Sequence, residues 1–158
     1  MEAITEQRLS LVHPLLREKI TRVIQNMAAR GIACRVTQGL RTWEEQAAIY
    51  AQGRTAPGKI VTNARPGYSS HNFGLAVDLV PSTNGLQTFV PDWAGDSLRY
   101  RVMQQFARDE GLICGCDWHS FPDPPHFQLA GAPVTPTVVM RALYSEKGMQ
   151  AVWNIVKA

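Results

Sequence analysis

A helical repeat of apolar residues passes directly into a period-two repeat near the amino end of the chain. Between Pro14 and Arg30 the apolar side chains recur at helical spacing, and Gly31 then supplies a stop signal. From Ile32 to Thr37 the apolar residues occupy alternate positions, as on a strand with one buried face. Strands interspersed with helices in this way favour an α+β fold, with helices flanking a small antiparallel sheet.

The same signals divide the rest of the chain. Thr42 and Glu45 form the Thr-x-x-Glu pattern of a capping box, which predicts a helix that begins at Trp43 and stops near Gly53. Residues 54–70 are rich in Gly, Pro and Ser, and we expect a long loop of the kind that is usually either functional or disordered. The other predicted elements are strands at 76–80 and 126–129, a helix from Leu98 that ends at Gly111, and a helical region from Thr135 that breaks at Gly148.

Composition and charge exclude several classes of protein. The 158 residues fit one compact domain. Lys and Arg number 16 against 13 acidic residues, and the resulting net charge of +3 is too small to indicate a nucleic-acid-binding protein, although it suits an anionic partner. The longest purely apolar runs cover only a few residues, whereas a bilayer span needs about 20. We therefore expect no stable membrane insertion.

The cysteines and the first residues bear on where the chain folds. Cys34, Cys114 and Cys116 cannot all pair with one another, and the Cys114-x-Cys116 spacing makes a bridge between those two awkward. Residues 1–8 lack the apolar segment and cleavage site of a signal peptide. These features lead us to expect reduced thiols in a chain that is made in the cytoplasm.

Two of the four histidines lie beside acidic residues in segments rich in Gly and Pro. His71 precedes Asp78 by seven residues, and the two side chains can converge on one metal ion if Gly74 lets the backbone turn tightly. His126 follows Asp123 on the last predicted strand. Two neutral imidazoles and one carboxylate form a catalytic type of zinc site with an open position. The alternative is that each histidine is a hydrogen-bonded structural residue and that Asp78 pairs with an arginine.

Several blocks of the sequence, in order, resemble one family of metalloenzymes. The pattern Ser69-x-His71-x-x-Gly74-x-Ala76-x-Asp78 is similar to the signature of the zinc-dependent D-alanyl-D-alanine carboxypeptidase and L-alanyl-D-glutamate endopeptidase superfamily, which is related in fold to the hedgehog signalling domain. Within it, the chain most resembles phage endolysins and bacterial autolysins. The supporting blocks lie at 39–46, 62–65, 116–118 and 123–128, so the resemblance covers most of residues 10–130.

The resemblance implies a role for each candidate catalytic residue. The ligands of one Zn²⁺ per chain would be His71, Asp78 and His126. Asp123 takes the place of the general base, which can accept a proton from water and pass it to the leaving amine. Arg41 takes the place of a fixed cation that stabilises the developing oxyanion or a substrate carboxylate.

Further residues around this site follow from the same resemblance. The relatives commonly have Trp-Gly-Gly-Asp-Trp where this chain has Cys114-Gly115-Cys116-Asp117-Trp118. The two cysteines are therefore either soft metal ligands or small packing residues, and packing is the expectation. The residues expected to bind substrate or to support the site are Ser69, Gln46, Asp117, Trp118 and His119.

The predicted function is hydrolysis of the L-Ala–D-Glu bond in peptidoglycan stem peptides. Residues 1–130 would form the catalytic domain of a monomer, and residues 131–158 a helical extension packed on it. Without a signal peptide, a phage or prophage lysis enzyme of this kind would reach the cell wall through a holin. The alternatives are a D-Ala-D-Ala carboxypeptidase or dipeptidase, which usually has Glu in place of Asp123, and a non-catalytic zinc-stabilised binding domain.

Overall fold

The computed structural model describes residues 1–157 and consists of helices around one four-stranded sheet. The helices are α1 Ala3–Ser10, α2 Pro14–Ala29, α3 Trp43–Ala51, α4 Leu98–Asp109, α5 Val138–Lys147 and α6 Met149–Asn154. The strands are β1 Cys34–Gln38, β2 Ala76–Pro81, β3 Leu112–Cys114 and β4 His126–Leu129. Two short 3₁₀ helices cover Ser70–Phe73 and Gly115–Asp117. The predicted α+β fold is confirmed, and among residues 1–157 no helix is long and apolar enough to span a bilayer.

The sheet brings distant parts of the chain into register. Its strand order is β1-β2-β4-β3, and all neighbouring strands are antiparallel. Asp78 on β2 lies directly opposite His126 on β4, and Gln38 on β1 lies opposite Asp78 on its other side. Side chains of directly opposed residues point to the same face of a sheet. The pairing of β2 with β4 therefore places two of the predicted metal ligands side by side.

Helix α2 has the buried face that its apolar spacing predicts. Leu16, Ile20, Val23 and Met27 are completely buried, and they join a core that also contains Val36 from the sheet. Each such side chain contributes about 1.5–3 kcal/mol relative to an exposed one. This core supports the sheet from one face and leaves the other side of the strands free to carry polar residues.

One α-helix and one strand were not predicted, because their sequences carry weak signals. Helix α1 has only Thr5 and Leu9 buried, so it shows no clear apolar repeat. It is attached to the sheet by the Thr5 hydroxyl, which accepts a hydrogen bond from the backbone N–H of Val36 at 3.2 Å. Strand β3 has three residues, too few for an alternating pattern to be recognised.

The carboxyl-terminal helices pack on the 3₁₀ helix Ser70–Phe73. Tyr144 of α5 stacks on Trp43 at a ring distance of 5.1 Å and meets Phe73 edge-on at 5.8 Å. Trp153 of α6 donates its indole N–H to the Phe73 carbonyl at 2.7 Å. The segment 131–157 thus supports the turn that carries His71.

Candidate metal centre and active site

Three potential ligand atoms meet at the floor of a cleft. His71 Nε2 lies 3.2 Å from His126 Nδ1 and 3.3 Å from Asp78 Oδ1. His126 Nδ1 lies 3.5 Å from the same carboxylate oxygen. Atoms that bind a zinc-sized ion tetrahedrally, at about 2.0–2.1 Å each, are roughly 3.3 Å apart. The three atoms therefore already have the spacing of ligands around one small divalent cation.

Local structure fixes the position of each ligand. His71 lies in the 3₁₀ helix, where its backbone N–H donates to the Ser69 hydroxyl at 3.3 Å. That helix ends at Gly74, whose φ of 62° is in the left-handed region and reverses the chain into β2, as the sequence predicted. Asp78 and His126 are held as cross-strand partners. One ligand therefore comes from a capped turn and two from the sheet.

The hydrogen bonds of the two imidazoles direct their lone pairs into the triangle. His71 Nδ1 lies 2.9 Å from the Gly39 carbonyl, which can only accept, so this nitrogen carries the proton. His126 Nε2 lies 2.9 Å from Gln128 Oε1, and the amide of Gln128 donates its N–H to the Val134 carbonyl at 3.2 Å. The nitrogens that face inward are therefore unprotonated in the neutral rings.

Asp78 Oδ1 is buried and has no hydrogen-bond partner within the described structure. Two nitrogen lone pairs and a carboxylate oxygen thus face one another without a proton between them. A divalent cation removes this repulsion, and imidazole with carboxylate is a donor set used for zinc and similar metals. The site fits a metal ion on these grounds, independently of any resemblance.

Charges around the triangle shift the pKa values of the two cleft aspartates in opposite directions. Burial acts to raise the pKa of Asp78, but the adjacent His71 and His126, when protonated, outweigh it and hold that pKa well below its ordinary value. Burial and the Asp78 charge raise the pKa of Asp123, against the opposing influence of His126, His71 and Arg41. Asp78 is therefore kept as an anion, whereas Asp123 is adjusted toward exchanging a proton.

Arg41 is held by a buried amide network. Its Nη1 donates to Gln46 Oε1 at 3.1 Å, and Gln46 Nε2 donates in turn to the Ala64 carbonyl at 2.8 Å. The Asn72 amide donates to the Arg41 carbonyl at 3.0 Å, and the Arg41 N–H donates to the His71 carbonyl at 3.0 Å. Burial lowers the pKa of Arg41, and nearby Asp78 is the main charge that opposes this shift. The guanidinium is thus fixed beside the ligand turn.

The cleft has a volume of about 980 Å³, and most of the predicted site residues line it. Trp118 packs against the ring of His126, with a centroid distance of 4.8 Å. Ser69 both caps the ligand turn and lines the cleft. The other predicted residues along its surface are Arg41, His71, Asp78, Asp123 and His126.

Three predicted residues lie outside the cleft lining. Gln46 is buried behind Arg41, so it contacts the arginine rather than a substrate. Asp117 is exposed and forms an ion pair with Arg108, at 2.7 Å between Oδ1 and Nη2. His119 is exposed, and it is not among the residues that line the cleft. A motif position next to Trp118 therefore does not by itself bring a side chain into the site.

The cysteines are free thiols without a place in the ligand triangle. Cys114 is buried, and burial raises the pKa of its thiol to about 12, so it stays protonated. The Cys116 thiol lies 3.6 Å from Asp117 Oδ1, the same oxygen that pairs with Arg108. Within the described residues, the group with metal-ligand spacing is His71, Asp78 and His126. Packing, rather than metal binding, is the role that the structure gives the cysteines.

Two supporting residues were absent from the predicted site. Gln128 fixes the tautomer of His126, and a possible signal was its position on the same strand face, two residues later. Asn72 connects Arg41 to the loop, because its Oδ1 accepts the backbone N–H of Gly67 at 3.0 Å while its amide donates to Arg41. No periodicity in the sequence indicates this role of Asn72, since its hydrogen bond to Arg41 joins segments about 30 residues apart.

Comparison with known proteins yields matches to one group of peptidases. The family model described as D-alanyl-D-alanine carboxypeptidase, of the peptidase M15 type, matches residues 62–129. The chain is 33% identical over 129 residues to CwlK, the peptidoglycan L-alanyl-D-glutamate endopeptidase of Bacillus subtilis. That match covers 75% of this chain and 73% of CwlK.

Solved structures give the same fold. The L-Ala D-Glu endopeptidase ChiX of Serratia marcescens is 29% identical, with a TM-score of 0.53 and coverage of 82% of this chain and 88% of ChiX. The vancomycin resistance D,D-pentapeptidase VanY, solved in complex with Zn(II), has a TM-score of 0.53 at 16% identity, with coverage of 92% and 84%, and this likeness concerns the fold alone. The fold and the ligand triangle define a metallopeptidase, and the identity to CwlK shows that the chain belongs to the M15 peptidase family.

Proposed function

We propose that this chain is a zinc peptidase that hydrolyses the L-Ala–D-Glu bond of peptidoglycan stem peptides. The observation that carries the proposal is the triangle of unprotonated donors at the cleft floor, in a chain similar to two enzymes named for that bond. A metal ion in a purely structural site is enclosed by its ligands. Here the triangle opens into a cleft, which favours catalysis over structural stabilisation.

His71, Asp78 and His126 would hold the zinc ion, and the remaining steps depend on the surrounding side chains. When bound, zinc supplies Lewis acidity and lowers the pKa of water toward about 7. Gly39 and Gln128 keep the two imidazoles oriented with their lone pairs inward. Because these partners accept the far-side protons, both rings can act as ligands without losing a proton first.

Asp123 is the group that moves protons. Its carboxylate lines the cleft, and its raised pKa brings it nearer to the pH at which a general base both accepts and returns a proton. It accepts a proton from the attacking water and donates that proton to the nitrogen of the leaving D-Glu. Pro124 and Pro125 stiffen the link from this base to the His126 ligand.

Arg41 supplies a fixed positive charge at the cleft wall. Its position is set before substrate binds, because Gln46 Oε1 accepts a hydrogen bond from the guanidinium and the His71 carbonyl holds the backbone of Arg41. A guanidinium held in this way stabilises either the oxyanion that develops at the L-Ala carbonyl or a carboxylate of the stem peptide. The preorganised hydrogen bonds mean that little reorganisation is needed during the reaction.

A product analysis with defined muropeptides tests the proposed bond. The zinc-loaded enzyme is incubated with a purified stem peptide, and the fragments are identified by mass spectrometry. We expect cleavage between L-Ala and D-Glu, and no release of terminal D-Ala. Free D-Ala with an intact L-Ala–D-Glu bond would instead assign the chain as a carboxypeptidase, which is the description of the matching family model. The Asp123→Asn protein is the matched control, because it keeps all three ligands.

The biological setting is a separate part of the proposal. We infer from the resemblance to endolysins that the enzyme is a phage or prophage lysis protein, made in the host cytoplasm and released to the wall through a holin. Expression in a host with and without a holin tests this setting. Lysis that requires the holin is the expected result, and lysis without it would contradict the setting while leaving the enzyme chemistry intact.

A further inference from the structure

Large apolar side chains are exposed around the mouth of the cleft. Five of them line it although each is between 46% and 80% exposed, and Phe121 is the most exposed of the five. The five are Ile60, Val61, Tyr68, Phe121 and Val134. Single exposed apolar residues are common on protein surfaces, but a group of them around one cleft indicates a contact surface. These five residues are called the apolar rim below.

Phe121 is set apart from the other four by its backbone. Its φ of 56° lies in the left-handed region, and among the described residues it is the one non-glycine residue with a positive φ. This conformation is unfavourable for a bulky side chain, so it is kept only where the surrounding structure imposes it. An 80% exposed ring gains little from packing within the protein, so folding alone does not account for it.

The loop that carries Phe121 is anchored to the catalytic segment at both ends. The backbone N–H groups of Trp118 and Asp123 both donate to the Gly115 carbonyl, at 3.2 and 3.0 Å. Gly115 allows this close approach, because a Cβ at that position would lie 2.5 Å from the Asp123 carbonyl oxygen and 2.9 Å from His126 Cβ. Phe121 therefore projects from a short loop whose two ends, Trp118 and the base Asp123, are both bonded to Gly115.

We propose that Phe121 is a substrate-binding and specificity-determining residue whose ring packs on the apolar part of a peptide bound across the cleft. This inference rests on the proposed function. A stem peptide cut at L-Ala–D-Glu presents methyl groups beside a carboxylate, and the same cleft is lined by the apolar rim and by the Arg41 cation. The strained loop holds the ring outward before substrate arrives, which lowers the ordering cost of binding.

Steady-state kinetics on three variants test the role of Phe121. For Phe121→Ala we expect kcat/KM to fall roughly 10- to 100-fold, mainly through KM. The variant cannot form the aromatic contact that becomes buried when the peptide binds. Phe121→Tyr should retain most of the activity. Phe121→Gly should lose kcat/KM like the alanine variant and yet have a higher Tm than wild type, because glycine adopts a positive φ without strain.

The control is Trp93→Ala, which removes a 67% exposed aromatic side chain that does not line the cleft. It should leave kcat/KM unchanged, and the zinc content of all four variants should equal that of wild type. A Phe121→Ala enzyme with wild-type kcat/KM, or a Phe121→Gly enzyme with a lowered Tm, would overturn the inference. The first result would show that Phe121 does not contact the substrate. The second would show that Phe121 stabilises the folded protein instead.

The outcome can be separated from that of the proposed function. Each kinetic run also identifies its products by mass spectrometry, and peptide affinity is measured by calorimetry in the Asp123→Asn background. If wild type cuts a different bond and Phe121→Ala still weakens peptide binding, the bond assignment fails and the role of Phe121 stands. If wild type cuts L-Ala–D-Glu and Phe121→Ala binds peptide normally, the role of Phe121 fails alone.

Discussion

The floor of the cleft and the apolar rim are built in opposite ways. At the floor, His71 and His126 are buried and each ring is oriented by a hydrogen bond to a fixed acceptor. At the rim, Phe121 and its neighbours are exposed, and Phe121 has a strained backbone. Metal binding and proton transfer depend on atoms placed within a few tenths of an ångström, whereas peptide binding needs apolar surface that is accessible before the substrate arrives. Changes at the floor should therefore affect chemistry, and changes at the rim should affect recognition.

The largest effect is expected from removing a ligand. Replacing His71, Asp78 or His126 by Ala opens a three-ligand site, so metal and activity should be lost together. Zinc content by mass spectrometry and turnover of a stem peptide provide the two readouts. Asp109→Ala, which removes an exposed carboxylate on α4, should change neither. A ligand variant that keeps one zinc per chain and normal turnover would contradict the assignment of the floor.

Replacing the base should separate metal binding from chemistry. Asp123→Asn preserves shape and leaves the ligand triangle intact, so the metal should stay. Turnover should fall about 10²- to 10⁴-fold, the usual contribution of general acid–base catalysis. The comparison is made on protein with measured, stoichiometric zinc. Turnover close to wild type would show that another group moves the proton.

A smaller effect is expected from the residue that orients His126. Gln128→Leu removes the acceptor for His126 Nε2–H while keeping a side chain of similar volume. Metal affinity, measured by competition with a chelator, should fall about 10- to 100-fold, as is usual when the partner of a metal-bound histidine is lost. Unchanged affinity would mean that the pairing of β2 with β4 alone positions His126.

The smallest effect is expected at the contact between α6 and the ligand turn. Trp153→Phe keeps an aromatic ring but removes the N–H that donates to the Phe73 carbonyl. The free energy of unfolding should fall by about 1 kcal/mol, which corresponds to a few degrees in Tm for a chain of this size. Metal affinity should change little, because His71 remains capped by Ser69. A large loss of zinc would make α6 part of the metal site rather than a support for its fold.

The sequence predicted the floor much better than the rim. Helix α2 was predicted from the spacing of its apolar residues. Helix α3 was predicted from a capping box, and the structure contains both of its reciprocal hydrogen bonds between Thr42 and Glu45. His71, Asp78 and His126 could be found because their motifs are local and resemble a known family. Signals of this kind depend on a few neighbouring residues, which is why they can be read along the chain.

Residues whose role depends on distant contacts could not be placed in the same way. Asp117 lies in a matching motif, but its carboxylate pairs with Arg108 of α4 and does not line the cleft. Phe121 shows nothing unusual in the sequence, since its exposure and its positive φ arise from the loop between Gly115 and Asp123. The apolar rim combines residues from loops far apart in the chain, so only the folded structure brings them together.

X-ray absorption at the zinc edge tests the ligand triangle most directly. The purified protein is loaded with one equivalent of zinc, and the distances from the metal to its nearest neighbours are measured. Nitrogen and oxygen neighbours at about 2.0–2.1 Å, including two imidazoles, are the predicted result for His71, Asp78 and His126. A sulfur neighbour at about 2.3 Å would assign the metal to a cysteine and would contradict the His71, Asp78 and His126 site.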